Sequence, residues 1–197
     1  MAVAVEHDKR RKKILEKSLT VFIEDGFENA TFQKIADRCG ITRTILYLYF
    51  KNKKEIFTYS IKQLLMNVEE KLNSICNNKS LNSVEKITRI LLGTFKLCEE
   101  NSQLLYIISD YLLHISKSDV NPEIRVKRRT VKMRHILSSM VIEGVKSGEL
   151  KKIDIKTTSD YLYSFIEAAI FQLVILKKKN LDEYEKTIVF AVKQLAA

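Results

Sequence analysis

The side chains best suited to do chemistry in this 197-residue chain lie close together, in Thr42-Arg43-Thr44-Ile45-Leu46-Tyr47-Leu48-Tyr49. Threonine hydroxyls and an arginine fork recognise hydrogen-bond acceptors, and the fork can bond two of them at once. A tyrosine adds a ring to stack and a hydroxyl to bond. None of these types is an efficient general base. Together they suit recognition of an acceptor-rich surface, and the surface of that kind that admits a helix is the major groove of duplex DNA.

Residues 32–50, FQKIADRCGITRTILYLYF, are the elements that must position them. They read as two short helices around a tight turn. Ile35, Ala36 and Cys39 share a face of the first helix, and Ile41, Leu46 and Tyr49 face them from the turn and the second. Ala36 supplies the small residue that two steeply crossing helices need at their closest point. Gly40 supplies a positive φ without strain. An ordinary helical hairpin would show the same apolar faces. What argues for a partner is the outer face: an exposed Tyr47 forgoes burial unless it meets something, and so short a helix is not stable alone.

Upstream, Ile14, Leu15, Leu19, Phe22 and Ile23 predict a helix over 7–24, with Gly26 as a left-handed cap. Its entry carries Lys9, Arg10, Arg11, Lys12 and Lys13, which read either as a solvated, frayed arm or as a source of non-specific affinity for a polyanion. Thr31 and Thr42 open the two short helices, and Asn52 with Glu55 three residues later reads as a capping box for a fourth. Further helices are predicted near 53–77, 82–98, 102–116, 122–147, 156–178 and 182–196. Asn121-Pro122-Glu123 is a start signal and Gly148 a stop. One proline and five glycines are too few breakers for an all-β chain. The expectation is an all-α protein of about nine helices: a three-helix helix-turn-helix domain over 1–57 and a larger helical domain over 58–197.

The net charge of +10 fits a polyanion partner. Residues 1–54 carry 12 Lys and Arg against 7 Asp and Glu, half of the whole excess. Cys39, Cys76 and Cys98 show neither a disulfide framework nor metal spacing. His7, His114 and His135 are scattered, and no phosphate loop or nucleophile–base motif is present, so no enzyme activity, cofactor or metal is expected. The N-terminus does not read as a secretory signal, and no stretch of membrane-spanning length is free of polar groups. A cytoplasmic protein is expected.

The stretch RRKKILEKSLTVFIEDGFENATFQKIADRCGITRTILYLYFKNKKEIF resembles the N-terminal domain of the TetR family of transcriptional regulators. The marks are Gly26-Phe27, Ala30-Thr31, Ile35-Ala36, Gly40-Ile41, the Leu46-Tyr47-x-Tyr49-Phe50 run, and Lys53 followed by Glu55-Ile56-Phe57. The resemblance implies a helical homodimer that binds a palindromic DNA operator, and a C-terminal domain that binds a small molecule releasing the DNA, most simply as a repressor. Carried over by position, Thr31 and Gln33 would contact backbone or base edges. Thr42, Arg43, Thr44 and Leu48 would face the groove. Tyr47, Tyr49 and Lys53 would hold phosphates. Ile45 and Leu48 depart from the family's usual polar residues, and Leu48 is expected to meet a thymine methyl, or else to pack on protein or sugar.

Residues 161–176, YLYSFIEAAIFQLVIL, are apolar on every side of a helix, which therefore needs burial all round. It reads as a dimer helix or as a central core helix, with the helix over 182–196 as its partner and Lys177, Lys178 and Lys179 at its negative end. The expected interface is Tyr161, Phe165, Ala169, Gln172, Leu173, Leu176, Ile188 and Val192. For an effector, Phe95, Cys98, Tyr106, Tyr111, His114 and Met133 are candidate lining residues, each equally explicable as core. Arg125, Lys127, Arg128, Arg129, Lys132 and Arg134 read as a solvated face or as a seat for an anionic ligand or an acidic partner.

Overall fold

The computed structural model describes the backbone of residues 2–116 and 123–197, and side chains within 6–66, 68–113 and 132–197. Among them are nine helices: α1 (Ala2–Asn29), α2 (Phe32–Cys39), α3 (Arg43–Tyr49), α4 (Lys53–Cys76), α5 (Ser83–Glu100), α6 (Ser102–Ser116), α7 (Glu123–Ser147), α8 (Ile155–Val174) and α9 (Asp182–Lys193). The all-α expectation holds. Asn121 and Pro122 lie outside the described residues, as do the side chains of His114, Arg125, Lys127, Arg128 and Arg129. No helix among the described residues is long and apolar enough to cross a membrane.

Polar side chains set where many helices begin. The Thr31 and Thr42 hydroxyls accept from the amides of Lys34 and Ile45. Asn82 and Glu85 complete a reciprocal capping box, and Asp154 accepts from the Thr157 amide. Such caps satisfy amides that the helix itself cannot. Asn52 caps Glu55 as expected, but the Glu55 carboxylate accepts from Lys51, one residue earlier than a capping box requires.

Two boundaries are corrected. Gly26 has φ 76° and ψ 167°. That is not a left-handed cap but a region of backbone open essentially to glycine alone, and α1 resumes beyond it as far as Asn29. The helix expected to reach residue 178 ends at Val174, because the Lys178 amide turns back onto the Gln172 carbonyl, 3.1 Å, and Lys177 takes φ 51°. Lys177 and Lys178 therefore form the closing turn, and Lys179 follows it, instead of all three lying in the helix's last turn.

The chain divides into two compact units, Met1–Lys71 and Leu72–Ala197, with the division inside α4. In the first, α1 packs on α2 and α2 on α3. Ile14, Leu15, Phe22, Ile35, Ala36, Leu46, Phe50, Ile56 and Phe57 are buried. Phe22, Phe27 and Phe57 form an aromatic cluster with centroids 4.9–6.0 Å apart. The Ser60 hydroxyl donates to the Leu15 carbonyl at 2.9 Å, so α4 is bonded to α1 as well as packed on it. In the second unit α5 is central, packed against α6, α7, α8 and α9, with Ile87, Ile90, Leu91 and Phe95 fully buried.

Candidate nucleic-acid interface

The interface begins at the corner between α2 and α3. Gly40 sits at φ 69°, ψ 36°, the left-handed region. Its amide donates to the Asp37 carbonyl and the Ile41 amide to the Ala36 carbonyl, both at 3.0 Å. This pair of bonds is the Schellman arrangement, in which a glycine in left-handed conformation turns the chain and satisfies two otherwise unpaired carbonyls. A Cβ on Gly40 would meet nothing within 4 Å, so the requirement for glycine is conformational. The spacing Ala36, Gly40, Ile41 thus encodes a capping motif as well as a close helix crossing. Ala36 is fully buried, which meets both demands.

Seven residues of helix need tertiary support. Leu46 and Phe50 provide it from beneath, at 0% and 1% exposure. The opposite face is open: Thr42, Arg43, Thr44, Tyr47 and Leu48 are exposed. Leu48, at 75%, is the most exposed of the large apolar side chains described. Ile45 is only half-buried, between the two faces. Tyr47 stacks on Phe32 of α2 with centroids 4.6 Å apart, and its hydroxyl accepts from Arg43 Nη2 at 3.0 Å. Phe32 was not singled out from the sequence; its one signal there is the position directly after a capping threonine.

The remaining expected contacts fall around this face in differing states. Thr31 is exposed and spends its hydroxyl as a cap, while Gln33 donates to Asp37 Oδ1 at 2.8 Å. Tyr49 is half-buried, with His7 of α1 stacked on it at 4.5 Å. Lys53 Nζ donates to the carbonyls of Phe27 and Glu28 at 2.9 and 2.8 Å and lies 4.7 Å from the Phe27 ring. It closes the end of α1. Arg11 lies 5.1 Å from the Phe50 ring and 4.4 Å from Tyr59, so the basic run is not a frayed arm at that point. Behind α2, the Arg38 guanidinium bonds Glu24 and Thr20 of α1. That bond holds the Glu24 carboxyl below its usual range and raises Arg38.

In the second unit, four residues expected at an interface are core instead. Ala169, Leu173, Ile188 and Val192 are buried within the single chain, where α8 packs against α5, α6 and α7 and α9 against α5. Tyr161 and Leu176 are exposed, and Phe165 and Gln172 are half-buried. The sequence reading missed Phe171, Ile175 and Phe190, which stand 52%, 58% and 66% exposed. Among the ligand candidates, Phe95, Cys98 and Tyr111 are buried and Met133 is half-buried. Burial pushes the Cys98 thiol up to about 12, which marks an inert thiol. Tyr106 is corrected to the surface at 53% exposure. His114 falls outside the described side chains. Arg134 is not a solvated charge: it bonds Asp160, lies 3.9 Å from Glu167 and sits 4.5 Å from the Tyr163 ring, tying α7 to α8. Lys132 is exposed.

A glycine-locked corner that presents a short, rigid helix with arginine, threonines and tyrosine outermost defines a helix-turn-helix DNA-binding transcription regulator. Residues 14–59 match the family model described as bacterial regulatory proteins, tetR family. The chain is 23% identical to the fatty acid metabolism regulator protein of Bacillus subtilis, over 85% of this chain and 84% of that one. Its fold is that of a TetR transcription regulator from Haloarcula marismortui, TM-score 0.80 at 16% identity over 96% and 97% of the two chains. It is also that of FadR from Bacillus subtilis, solved in complex with stearoyl-CoA, TM-score 0.72 at 21% identity over 91% and 96%. Residues 14–59 are a DNA-binding domain of the tetR type, and the chain is a TetR-like DNA-binding transcriptional regulator.

Proposed function

We propose that the chain acts in the cytoplasm as a homodimeric repressor that occupies a palindromic operator and leaves it on binding a small molecule. In this reading residues 1–57 read DNA, and residues 58–197 pair the protomers and take the effector. The observation that carries it is the outer face of α3 and its cap, where Thr42, Arg43, Thr44, Tyr47 and Leu48 are exposed together while Leu46 and Phe50 anchor the helix in the core. Arg43 is the base reader, with guanine the commonest target of its fork. Pairing is supported by the exposed Phe171, Ile175, Leu176 and Phe190, an apolar set that a single chain leaves uncovered. A two-fold dimer places its reading helices in half-sites about 34–36 Å apart, one turn of duplex.

The relatives suggest the class of effector. One is named for fatty acid metabolism and another was solved with stearoyl-CoA, so a long-chain acyl thioester is the first candidate. The test is a gel shift of the chain on its own upstream DNA, titrated with salt and then with acyl-CoA of increasing chain length. Retardation that weakens with salt, and is reversed by long but not short acyl chains at constant ionic strength, is the expected result. Retardation indifferent to acyl-CoA removes that class and leaves DNA reading intact. Sedimentation of Phe190→Asp should show monomer where the parent chain shows dimer.

A further inference from the structure

The side chains on α3 form a relay that a simple phosphate contact does not require. Phe32 is buried, at 8% exposure, and Tyr47 stacks on it with rings 25° from parallel. That stack fixes the direction of the Tyr47 hydroxyl. The hydroxyl accepts from Arg43 Nη2 at 3.0 Å, and the Arg43 guanidinium carbon lies 5.5 Å from the Tyr47 ring centroid. Three side chains, two of them exposed, are thus referenced in series to the core of the unit.

The donors and acceptors still balance for DNA. A guanidinium has five N–H groups in a planar fork, and Tyr47 takes one from Nη2. Whichever Nη2 hydrogen it takes, one paired edge of the fork stays complete, either Nη1 with Nη2 or Nε with Nη2. Two parallel N–H groups therefore remain for two acceptors on one base. The tyrosine hydroxyl, having accepted, keeps its own proton to donate to a phosphate oxygen. A free arginine must surrender rotamer freedom when it grips a base, whereas one already held surrenders less.

We propose that Tyr47 is a specificity-determining positioning residue, whose hydroxyl holds the Arg43 fork in its base-reading orientation and links it to the DNA backbone. The proposal rests on the reading of Arg43 as the base reader. Ile45 and Leu48 supply no hydrogen bonds, so on α3 the discrimination by hydrogen bonding concentrates on this pair and the flanking threonines.

A double-mutant cycle on the full chain tests it, with Arg43→Ala, Tyr47→Phe and the two combined. The probes are a duplex selected from a random pool by the parent chain and versions substituted at each base pair of one half-site. Tyr47→Phe keeps the ring and its stack, so the melting temperature should not move. It should lower preference at the same base pair that Arg43→Ala affects, by about 10-fold for one hydrogen bond to a charged group. Once Arg43 is alanine, it should cost no further preference at that pair. If Tyr47→Phe weakens every duplex by one common factor and the two effects multiply, Tyr47 is a phosphate contact alone and the proposal is overturned while base reading stands. If Arg43→Ala relaxes preference at no base pair, the base-reading role falls, and the positioning role with it.

Discussion

The helix pairs α2–α3 and α8–α9 both leave groups on the surface that ask for a partner, but of opposite kinds. On α3 and its cap the outward groups are directional, an arginine fork, two threonine hydroxyls and a tyrosine hydroxyl, each with hydrogen-bonding capacity to spare. On α8 and the turn after it, and on α9, they are apolar: Phe171, Ile175 and Leu176, and Phe190. A directional site works only if its backbone is held to a fraction of an ångström, and this one is braced by a threonine cap, a Schellman turn, a buried Leu46 and a ring stack. An apolar surface needs only shape and area, so it tolerates many arrangements of similar residues. Precision at the head and tolerance in the body follow from the interactions each must make.

That contrast sharpens or breaks under mutation. The largest effect belongs under the head. Leu46→Ala should destabilise the first unit by about 2–5 kcal/mol, because it empties a fully enclosed site. Leu176→Ala, on the exposed side of the body, should move monomer stability by no more than about 0.5 kcal/mol. Chemical denaturation at low protein concentration measures both, and equal losses would erase the distinction. Next, Gly40→Ala should cost about 1–2 kcal/mol through its left-handed backbone, with Gly40→Asn less damaging. A cost as large for asparagine would point to crowding, which the open space around Gly40 contradicts. The smallest effect concerns Leu48. If it touches a thymine methyl, replacing that thymine with uracil should weaken binding by at most about 0.8 kcal/mol, the scale of one buried carbon group. No base pair of the half-site showing a uracil effect would place Leu48 on sugar or protein instead.

Legibility in the sequence followed the same divide. The corner could be read because its parts are local: Thr31, Gly40, Thr42 and Asn52 act on residues a few positions away, and their spacing is the mechanism. Gly148 marked the end of α7 in the same local way. Which side of α8 faces its own chain could not be read, since a helix apolar all round has no period to break the tie. Ala169 and Leu173 therefore looked like interface and are core, while Phe171 was passed over. Contacts distant in sequence left no local trace either. That Lys53 closes the end of a helix 25 and 26 residues earlier could not be read from its neighbours in sequence. His7 and Arg11 gave no hint that they would lie against Tyr49, Phe50 and Tyr59.

The central claim is that the locked corner presents α3 to read duplex DNA. Its most direct test is a salt titration of the full chain on a duplex it selects from a random pool, against a scrambled duplex of equal length and composition. Both should be bound more weakly as salt rises, with the selected duplex preferred throughout and the preference lost in Arg43→Ala. A folded chain that bound neither duplex in dilute salt, or bound the two alike at every salt concentration, would contradict it.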